Sequence, residues 1–338
     1  MPTIKEIALK AGVSYSTVSR ALNDKKGVKP QVREKILKLA KEMNYFPHYQ
    51  AKALVQKRVG VIAVVIPRAS EFAFQNPFYS HILLGLSQQA NKHDYRLMLS
   101  INEKSGYASL YQRRMVDGVV VVANRTDDKN IDELVEMQVP TVVVPGFGDQ
   151  KGPDVASVNS ENHQSVKRAV TYLISLGHTK IAFILGRMNS AYSTERLAAY
   201  KAALAEQGID FKSKYIRESD FSKTDGFNLM GKLLDMEEPP TSVICINDSV
   251  TPGALHQIRS RGLKIPQDLS VVAIGCSDVL ELHQPPLTTV RTRVVEIGKA
   301  AAKSLIQIME KGSPLEKRII IPSDLIIRES TGVYKGRI

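Results

Sequence analysis

The chain has 338 residues, of which 43% are hydrophobic and 24% are charged, and its formal net charge is +12. A chain of this length exceeds one ordinary domain, so we expect a small unit beside a larger one. No apolar run reaches the ~18 residues that a membrane span needs, and the polar N-terminus lacks the apolar segment of a signal peptide, which predicts a cytoplasmic protein with no membrane partner.

The positive charge is concentrated at the beginning of the chain. Residues 1–58 contain 13 Lys or Arg against four Asp or Glu. Such a cluster is typical of proteins that bind nucleic acid, because each neutralised phosphate releases a condensed counterion. A basic surface without this role would have its charge spread along the chain.

Three short helices are predicted within this basic segment. Thr3 and the glutamate three residues later form a capping box that opens a first helix, and Gly12 ends it in the left-handed conformation. Ser14 caps a second helix that ends near Leu22, and a third helix begins at Pro30, since proline suits the first helical position. Two short helices joined by a tight glycine turn form a helix-turn-helix, in which the second helix enters the major groove of DNA.

After residue 58 the pattern changes to short apolar runs rich in Val and Ile. These runs are VIAVVI, YRLMLSI, DGVVVVA, TVVVP, KIAFILG, SVICIN and SVVAIG. The intervening stretches are amphipathic, as at residues 80–93, 162–177 and 194–208. Such runs are typical of buried parallel strands in an α/β fold, and their spacing predicts two doubly wound lobes.

Ordered motifs extend over essentially the whole chain. They are TIKEIALKAGVSYSTVSRALN, NPFY at 76–79, RRMVDGVVV, LISLGHTKIAFI, ERLAAYKAAL, IND at 246–248, PPLTTV and LIIREST. In content and order they resemble the lactose/galactose repressor (LacI/GalR) family of bacterial transcription regulators. The resemblance implies an N-terminal all-α helix-turn-helix headpiece and an α/β, periplasmic-binding-protein-like core of two doubly wound lobes.

The resemblance also implies where the domains begin and end. The headpiece occupies residues 1–47, a hinge occupies 48–58, the N-terminal lobe combines 59–160 with 291–323, and the C-terminal lobe combines 161–290 with 324–332. Three segments cross between the lobes, and an effector is held between them at the carboxyl ends of the strands.

Within the headpiece, the resemblance assigns the reading of base edges to Tyr15, Ser16 and Arg20. Arginine can donate two hydrogen bonds to guanine, and a tyrosine ring can contact thymine methyl groups. Tyr15 could instead pack on the neighbouring helix. The residues suited to phosphate oxygens are Thr3, Ser14, Thr17, Ser19, Asn23 and Lys29. Lys29 stands where the family commonly has a capping Ser or Asp, and a cation there opposes the helix dipole, which favours a phosphate contact.

The hinge is expected to become a helix in the DNA minor groove, as the resemblance implies. Leu54 would wedge a central base step, and Ala51 would allow two hinge helices to approach closely. Leu54 could instead cover the core.

Five residues are candidate effector ligands from their motifs and strand ends. Phe78 and Tyr79 would stack on a ring or sugar face. Arg196 would donate to ligand oxygens, or pair with a carboxylate of its own lobe. Asn247 and Asp248 would hydrogen-bond hydroxyl groups, although Asp248 could instead cap the following helix.

One strand end departs from the family pattern. Gly275 and Cys276 stand where the family usually has Asp or Asn, so a polar pair that faces the sugar is missing. The segments SEFAFQNPFY and VNSEN resemble the maltose and maltodextrin regulators. We include Gly275 in the effector site and expect an effector that is less hydroxylated, differently placed, or not the sugar of that subgroup.

An enzyme is the competing class of protein. The chain has no GxxxxGK[ST], HExxH or GxSxG motif, so we expect no catalytic residues, no metal and no cofactor. Cys245 and Cys276 fit no metal or disulfide spacing and are expected to be buried structural thiols. His178 is expected to make a structural hydrogen bond. A periplasmic-type solute receptor would fit the lobes but not the basic headpiece.

The combined prediction is a homodimeric transcription regulator, specifically a repressor. It would bind double-stranded DNA at a palindromic operator and respond to a small-molecule effector, expected to be a saccharide. The alternative is a carbon-control regulator that responds to a protein co-regulator. A tetramer is not expected, because eight residues follow Ser330 and they contain no heptad.

Overall fold

The structure is a computed structural model that describes residues 2–23, 25–45, 58–101, 106–122, 125–126, 128–146 and 154–336. The chain divides into two compact units, Met1–Val59 and Gly60–Ile338. Ala51 and Leu54, and with them the predicted hinge up to residue 57, lie outside the described residues. No helix of the described ranges is long and apolar enough to cross a membrane.

The first unit contains three helices, α1 Ile4–Ala11, α2 Tyr15–Leu22 and α3 Pro30–Glu42. The predicted capping box is confirmed, since Thr3 Oγ1 accepts from the Glu6 amide at 3.3 Å while the Glu6 carboxylate accepts from the Thr3 amide at 2.9 Å. Gly12 ends α1 with φ of 70°. The caps at Thr3 and Gly12 therefore determine the two ends of α1, and Gly12 begins the turn to α2.

The core of this unit is small and closed. Ile7, Val18 and Ile36, one from each helix, are fully buried and pack together. Lys35 Nζ donates to the carbonyl oxygen of Ala11 at 3.0 Å, which satisfies a carbonyl group at the end of α1 that has no helical partner. Helix α3 thus holds the other two helices in place by packing and by a terminal hydrogen bond.

The N-terminal lobe is a six-stranded parallel sheet in the order β2-β1-β3-β4-β5-β11. Its strands are β1 Val61–Ile66, β2 Arg96–Ile101, β3 Gly118–Val122, β4 Thr141–Val144, β5 Ala156–Ser160 and β11 Arg318–Ile321. Its helices are α4 Ser70–Gln75, α5 Pro77–Asn91, α6 Ala108–Gln112, α7 Asn130–Glu136 and α12 Val294–Lys311.

The C-terminal lobe repeats this order as β7-β6-β8-β9-β10-β12, with β12 antiparallel to β10. Its strands are β6 Ile181–Leu185, β7 Ile216–Glu218, β8 Ser242–Cys245, β9 Ser270–Gly275, β10 Thr288–Thr292 and β12 Ser323–Ile326. Its helices are α8 Asn162–Ser175, α9 Ala191–Glu206, α10 Lys223–Leu234 and α11 Val250–Ser260, with 3-10 turns at Ser213–Tyr215 and Asp278–Glu281.

Strand β1 shows why the apolar runs form buried strands. Ile62, Val64 and Ile66 point into one core cluster, while Ala63 and Val65 point into a second cluster on the opposite face of the sheet. Successive side chains in a strand alternate between faces, and helices cover both faces here. The strand must therefore be apolar at every position, which is the pattern that predicted it.

The chain crosses between the two sheets three times. Strand β5 leads into α8, β10 leads into α12, and β11 leads directly into β12. In the N-terminal lobe, α12 packs closely on α5, because a Cβ atom on Gly85 or Gly298 would overlap backbone of the other helix. Elements that are distant in sequence thus complete each lobe.

Candidate functional site

The candidate effector site is a cleft between the two lobes. Both sheets reverse their strand order at one strand, β1 in the first lobe and β6 in the second, and ligands of open α/β sheets bind beyond the carboxyl ends of strands at such points. A cleft of about 710 Å³ lies there. Its lining includes all six residues assigned to the effector, Phe78, Tyr79, Arg196, Asn247, Asp248 and Gly275.

Aromatic rings form one wall of the cleft. Phe72 lies edge-on to Tyr79 with ring centroids 5.9 Å apart, and Phe78 lies edge-on to Tyr79 at 5.3 Å. From the C-terminal lobe, Tyr192 meets Phe78 at 6.4 Å and Phe221 meets Phe72 at 5.6 Å. The last two pairs join the lobes. The apolar faces of the rings suit the C–H face of a sugar or another ring.

Three of these rings were not predicted from the sequence. Phe72 stands in the quoted segment SEFAFQNPFY, and Tyr192 precedes the ERLAAYK motif. Phe221 follows the very short strand β7 and has φ of 69°, unusual for a residue with a side chain. Its ring lies on Gly186, where a Cβ atom would overlap it. No local sequence pattern marks that contact.

Tyr79 is the most enclosed ring of the wall. Only 3% of its surface is exposed, and burial raises the pKa of its hydroxyl group to about 12, although the neighbouring Arg68 opposes the change. Phe78 is half-buried and therefore more accessible for stacking than Tyr79. Arg68, which sequence reasoning missed, follows β1 and also lines the cleft.

Arg196 lies inside the C-terminal lobe at the second turn of α9, with 8% of its surface exposed. Its Nε donates to Asn162 Oδ1 at 2.9 Å and its Nη1 donates to the carbonyl oxygen of Ile246 at 3.2 Å. Burial lowers the pKa of the guanidinium. Among the described residues Arg196 makes no salt bridge, which disfavours the alternative of an ion pair with a carboxylate of its lobe, although the nearby Glu195 carboxylate raises its pKa.

Asn247 and Asp248 have different roles from those weighed on sequence grounds. Asn247 Oδ1 accepts from the amides of Ser249 at 3.1 Å and Val250 at 2.7 Å, so Asn247, and not Asp248, satisfies the amides at the beginning of α11. The alternative that Asp248 caps this helix is therefore wrong. The Nδ2 atom of Asn247 is buried and has no partner among the described residues, which leaves a donor for a ligand.

The Asp248 carboxylate instead spans to the end of the neighbouring strand β9. Its oxygens accept from the amides of Cys276 and Ser277, both at 3.0 Å. Burial raises its pKa, and these amide donors oppose the change. The space exists because residue 275 is glycine: a Cβ atom there would lie 2.7 Å from Asp248 Oδ1 and 2.5 Å from Leu280 Cδ1.

The expected polar pair is absent from residues 275 and 276 themselves, but a carboxylate still reaches this strand end. Asp248, from the end of β8, places its carboxylate where Gly275 leaves room. The cysteine prediction is confirmed for Cys245, which is fully buried, but wrong for Cys276, which is partly exposed and lines the cleft. Burial and the adjacent Asp248 raise the pKa of the Cys276 thiol, so it is not a reactive thiolate.

The headpiece presents its predicted base-reading residues on one helix. Tyr15 is 56% exposed, which disfavours the alternative that it packs on a neighbouring helix, and Ser16 and Arg20 are also exposed. Lys29 is exposed and makes no capping hydrogen bond to α3. The exposed surface of the headpiece thus offers to DNA the Tyr15 ring, the Ser16 hydroxyl and the cations of Arg20 and Lys29.

The residues assigned to phosphate also serve the fold. Thr3 and Ser14 cap α1 and α2, and Asn23 Nδ2 donates to the carbonyl oxygen of Ser19 at 2.8 Å. Thr17 Oγ1 lies 2.9 Å from Ser14 Oγ. A hydroxyl that accepts a capping bond keeps its own hydrogen as a donor, so capping and phosphate contact are compatible.

Comparisons with known proteins identify the family. Residues 3–48 match bacterial regulatory proteins of the lacI family, and residues 170–331 match the periplasmic binding protein-like domain. The HTH-type transcriptional repressor CytR of Escherichia coli strain K12 is 31% identical over 335 residues, which cover 97% of this chain and 96% of CytR. The chain belongs to the lacI family.

Two solved structures of transcription regulators have a similar fold. The Lac repressor dimer bound to operator and the anti-inducer ONPF has a TM-score of 0.87 and 25% identity, over 98% of this chain and 99% of that one. The regulator CelR in complex with cellobiose has a TM-score of 0.74 and 28% identity, over 98% and 100%. The present lacI-family chain is a DNA-binding transcription regulator and not an enzyme.

Proposed function

We propose that this regulator is a repressor whose affinity for a palindromic operator is controlled by a saccharide or sugar derivative bound between the lobes. The observation that carries the proposal is the meeting of Phe78, Tyr79, Arg196, Asn247 and Asp248 in one cleft, although they come from distant parts of the chain. The cellobiose complex of CelR supports a saccharide as the class of effector.

The proposal extends to the residues and the assembly. The base-reading and phosphate-binding residues are those of the predicted headpiece at 1–47, followed by the hinge at 48–58 with Ala51 and Leu54. The N-terminal lobe comprises 59–160 and 291–323, and the C-terminal lobe 161–290 and 324–332. The protein acts in the cytoplasm as a homodimer, for which the Lac repressor dimer on its operator is the support.

Control of DNA binding requires two arrangements of the lobes. An effector shifts their equilibrium only as far as it binds one arrangement more tightly than the other. Contacts across the cleft, such as the bond from the Thr126 amide to the Asn189 carbonyl at 2.9 Å and the Phe72–Phe221 ring pair, belong to the arrangement seen here. An effector that opens or tightens these contacts changes the angle between the lobes.

The function is tested in two stages with the full chain. A selection from random DNA should return an inverted repeat, because two headpieces related by a dimer axis read it. Binding of the selected site is then measured with each member of a saccharide panel. A direct repeat would contradict the dimeric operator. A change of operator affinity caused only by a phosphorylated carrier protein would favour the co-regulator alternative.

The hinge gives a separate test on DNA. Leu54→Ala should cost a few kcal/mol of specific operator binding through the lost apolar wedge, while non-specific binding is spared. Both are measured by fluorescence anisotropy on the selected operator and on a scrambled duplex. Equal losses on the two duplexes would rule out the wedge.

A further inference from the structure

We propose that the effector carries an anionic group, a carboxylate or a phosphate, which binds at the beginning of α9 beside Ser193 and Arg196. The inference deepens the proposed function and rests on it, because it names the chemical class of the molecule held in the cleft. A neutral saccharide needs only hydrogen-bond partners, whereas the groups around this end of α9 also present positive charge.

The first argument is the positive charge of Arg196, which makes no salt bridge with the described residues. This guanidinium is 8% exposed, and its two hydrogen bonds go to an amide oxygen of Asn162 and a carbonyl oxygen of Ile246. The Tyr192 ring centroid lies 5.3 Å from its Cζ atom, and the nearby Glu195 carboxylate raises its pKa against the effect of burial. Neither contact is a salt bridge, so an anion of a ligand would complete the pairing that buried charges in proteins normally have.

The second argument is an unsatisfied hydroxyl at the same place. Ser193 lies in the first turn of α9 and lines the cleft, and its side chain is completely buried. Its Oγ atom has no hydrogen-bond partner among the described residues. A buried hydroxyl without a partner is rare because it loses its hydration, and a ligand oxygen would supply the missing bond.

The third argument is the helix itself. Helix α9 has 16 residues, and Ser190 at its N-cap position makes no capping hydrogen bond from its side chain. A helix of this length presents a partial positive charge and amide donors at its N-terminus, which favour anions. Arg196, Ser193 and the start of α9 therefore converge on one subsite.

The remaining charges of the cleft do not cancel this subsite. Arg68 adds a second guanidinium from the N-terminal lobe. Asp248 is the carboxylate in the described lining, and both of its oxygens already accept amide hydrogens from Cys276 and Ser277. The balance in the cleft is therefore positive, which selects an acidic or phosphorylated sugar over its neutral parent.

The test begins with a probe that does not depend on the identity of the sugar. Inorganic phosphate, compared with chloride at equal ionic strength, should raise the melting temperature of the full chain by binding the folded state. Ser193→Ala should remove a clear part of that rise. Ser242→Ala is the matched control, since Ser242 is equally buried and its Oγ also has no partner, but it does not line the cleft.

Calorimetry with matched sugars completes the test. Glucose, galactose and mannose are each compared with their 6-phosphates and with the corresponding uronates. The expected result is that an anionic member binds at least tenfold more tightly than its neutral parent, and that Ser193→Ala reduces this preference while Ser242→Ala does not.

The outcomes separate this inference from the proposed function. If phosphate stabilises Ser193→Ala as much as the unmodified chain, the anion subsite is wrong. If a neutral hexose binds as tightly as its anionic derivatives and changes operator affinity, the anion subsite is again wrong but the effector-controlled repressor stands. If ligands bind the cleft and none changes operator affinity, the proposed function fails while the subsite is judged by its own variants.

Discussion

The two lobes share one strand order but contribute different chemistry to the cleft. The N-terminal lobe supplies three rings and the guanidinium of Arg68. The C-terminal lobe supplies two rings, those of Tyr192 and Phe221, and most of the polar groups, among them Arg196 and Asp248. In both lobes the sheet only determines where the loops at the strand ends lie. The residues in the loops and helices that follow the strands can change without a change of topology, so affinity and specificity can reside in different lobes.

The largest effect is expected in the C-terminal lobe, from Arg196→Ala. Loss of the guanidinium leaves effector oxygens in the cleft without a donor, at about 1–3 kcal/mol for each buried group. Two such groups correspond to a loss of effector affinity of about a hundredfold or more by calorimetry. Operator binding without effector should persist, because the headpiece is a separate compact unit.

Lys201→Ala is the control for this experiment. Lys201 lies on the same helix and its Nζ sits 4.5 Å from the centroid of the Phe211 ring, but it does not line the cleft. Its loss should leave effector affinity unchanged. Equal effector affinity of Arg196→Ala and the unmodified chain would place the effector elsewhere.

The next effect is expected from Gly275→Val, which fills the space used by Asp248. The first added carbon would already lie 2.5 Å from Leu280 Cδ1, and overpacking of a tight site costs typically about 1–3 kcal/mol of stability. Urea unfolding should show this loss, and calorimetry should show weaker effector binding as the carboxylate is displaced. Gly106→Ala is the control, because its nearest neighbour would be a flexible Glu133 side-chain oxygen at 3.4 Å.

The helix ends, the strands and the cleft residues differ in how far the local sequence predicts them. The helix ends at Thr3 and Gly12 are set by bonds within a few residues, and the period of apolar residues predicts a strand such as Val61–Ile66. Arg196 and Asn247 were found because their motifs resemble a known family. The same local chemistry sets the start of helix α5 at Pro77, since Asn76 Oδ1 accepts from the Phe78 amide at 3.0 Å.

What the sequence did not predict depends on contacts between distant residues. The reach of Asp248 to Cys276 and Ser277 needs two adjacent strands, and the meeting of Phe72 with Phe221 needs both lobes. Neither contact leaves a periodic signal in the chain. A glycine in an apolar run suggests close packing, but it does not identify the side chain that fills the space.

A smaller effect is expected from the ring pair that joins the lobes. Edge-to-face aromatic pairs contribute about 0.5–1.5 kcal/mol beyond their buried area, so Phe72→Leu and Phe221→Leu should each change effector affinity several-fold. The double variant should lose less than the sum of the single losses, because both remove the same contact. Strict additivity in calorimetry would mean that the pair does not couple the lobes.

The smallest effect is a dependence of stability on pH that belongs to the C-terminal lobe alone. His178 confirms the prediction of a structural role: its Nδ1 lies 2.9 Å from Thr241 Oγ1, and its Nε2 lies 3.0 Å from Ser270 Oγ and 3.1 Å from the Gly332 carbonyl oxygen. Burial lowers the pKa of this imidazole, and the Gly332 carbonyl opposes the change.

The sign of the dependence follows from the lowered pKa. The unfolded chain takes up a proton at His178 near pH 6.5, whereas the folded chain does so only at lower pH, so the folded state is stabilised above about pH 6.5. That stabilisation is lost as the pH falls from there towards the folded pKa. The melting temperature should therefore decrease between pH 7.5 and 5.5, and less steeply in His178→Gln.

The slope of melting temperature against pH is compared rather than the melting temperature itself, because the variant also loses hydrogen bonds. His163→Gln, at an exposed position on α8, is the control for the chemical change from imidazole to amide. Part of the slope should remain in His178→Gln, since burial also lowers the pKa of His283. An unchanged slope in His178→Gln would show that this imidazole takes up no proton on unfolding in that range.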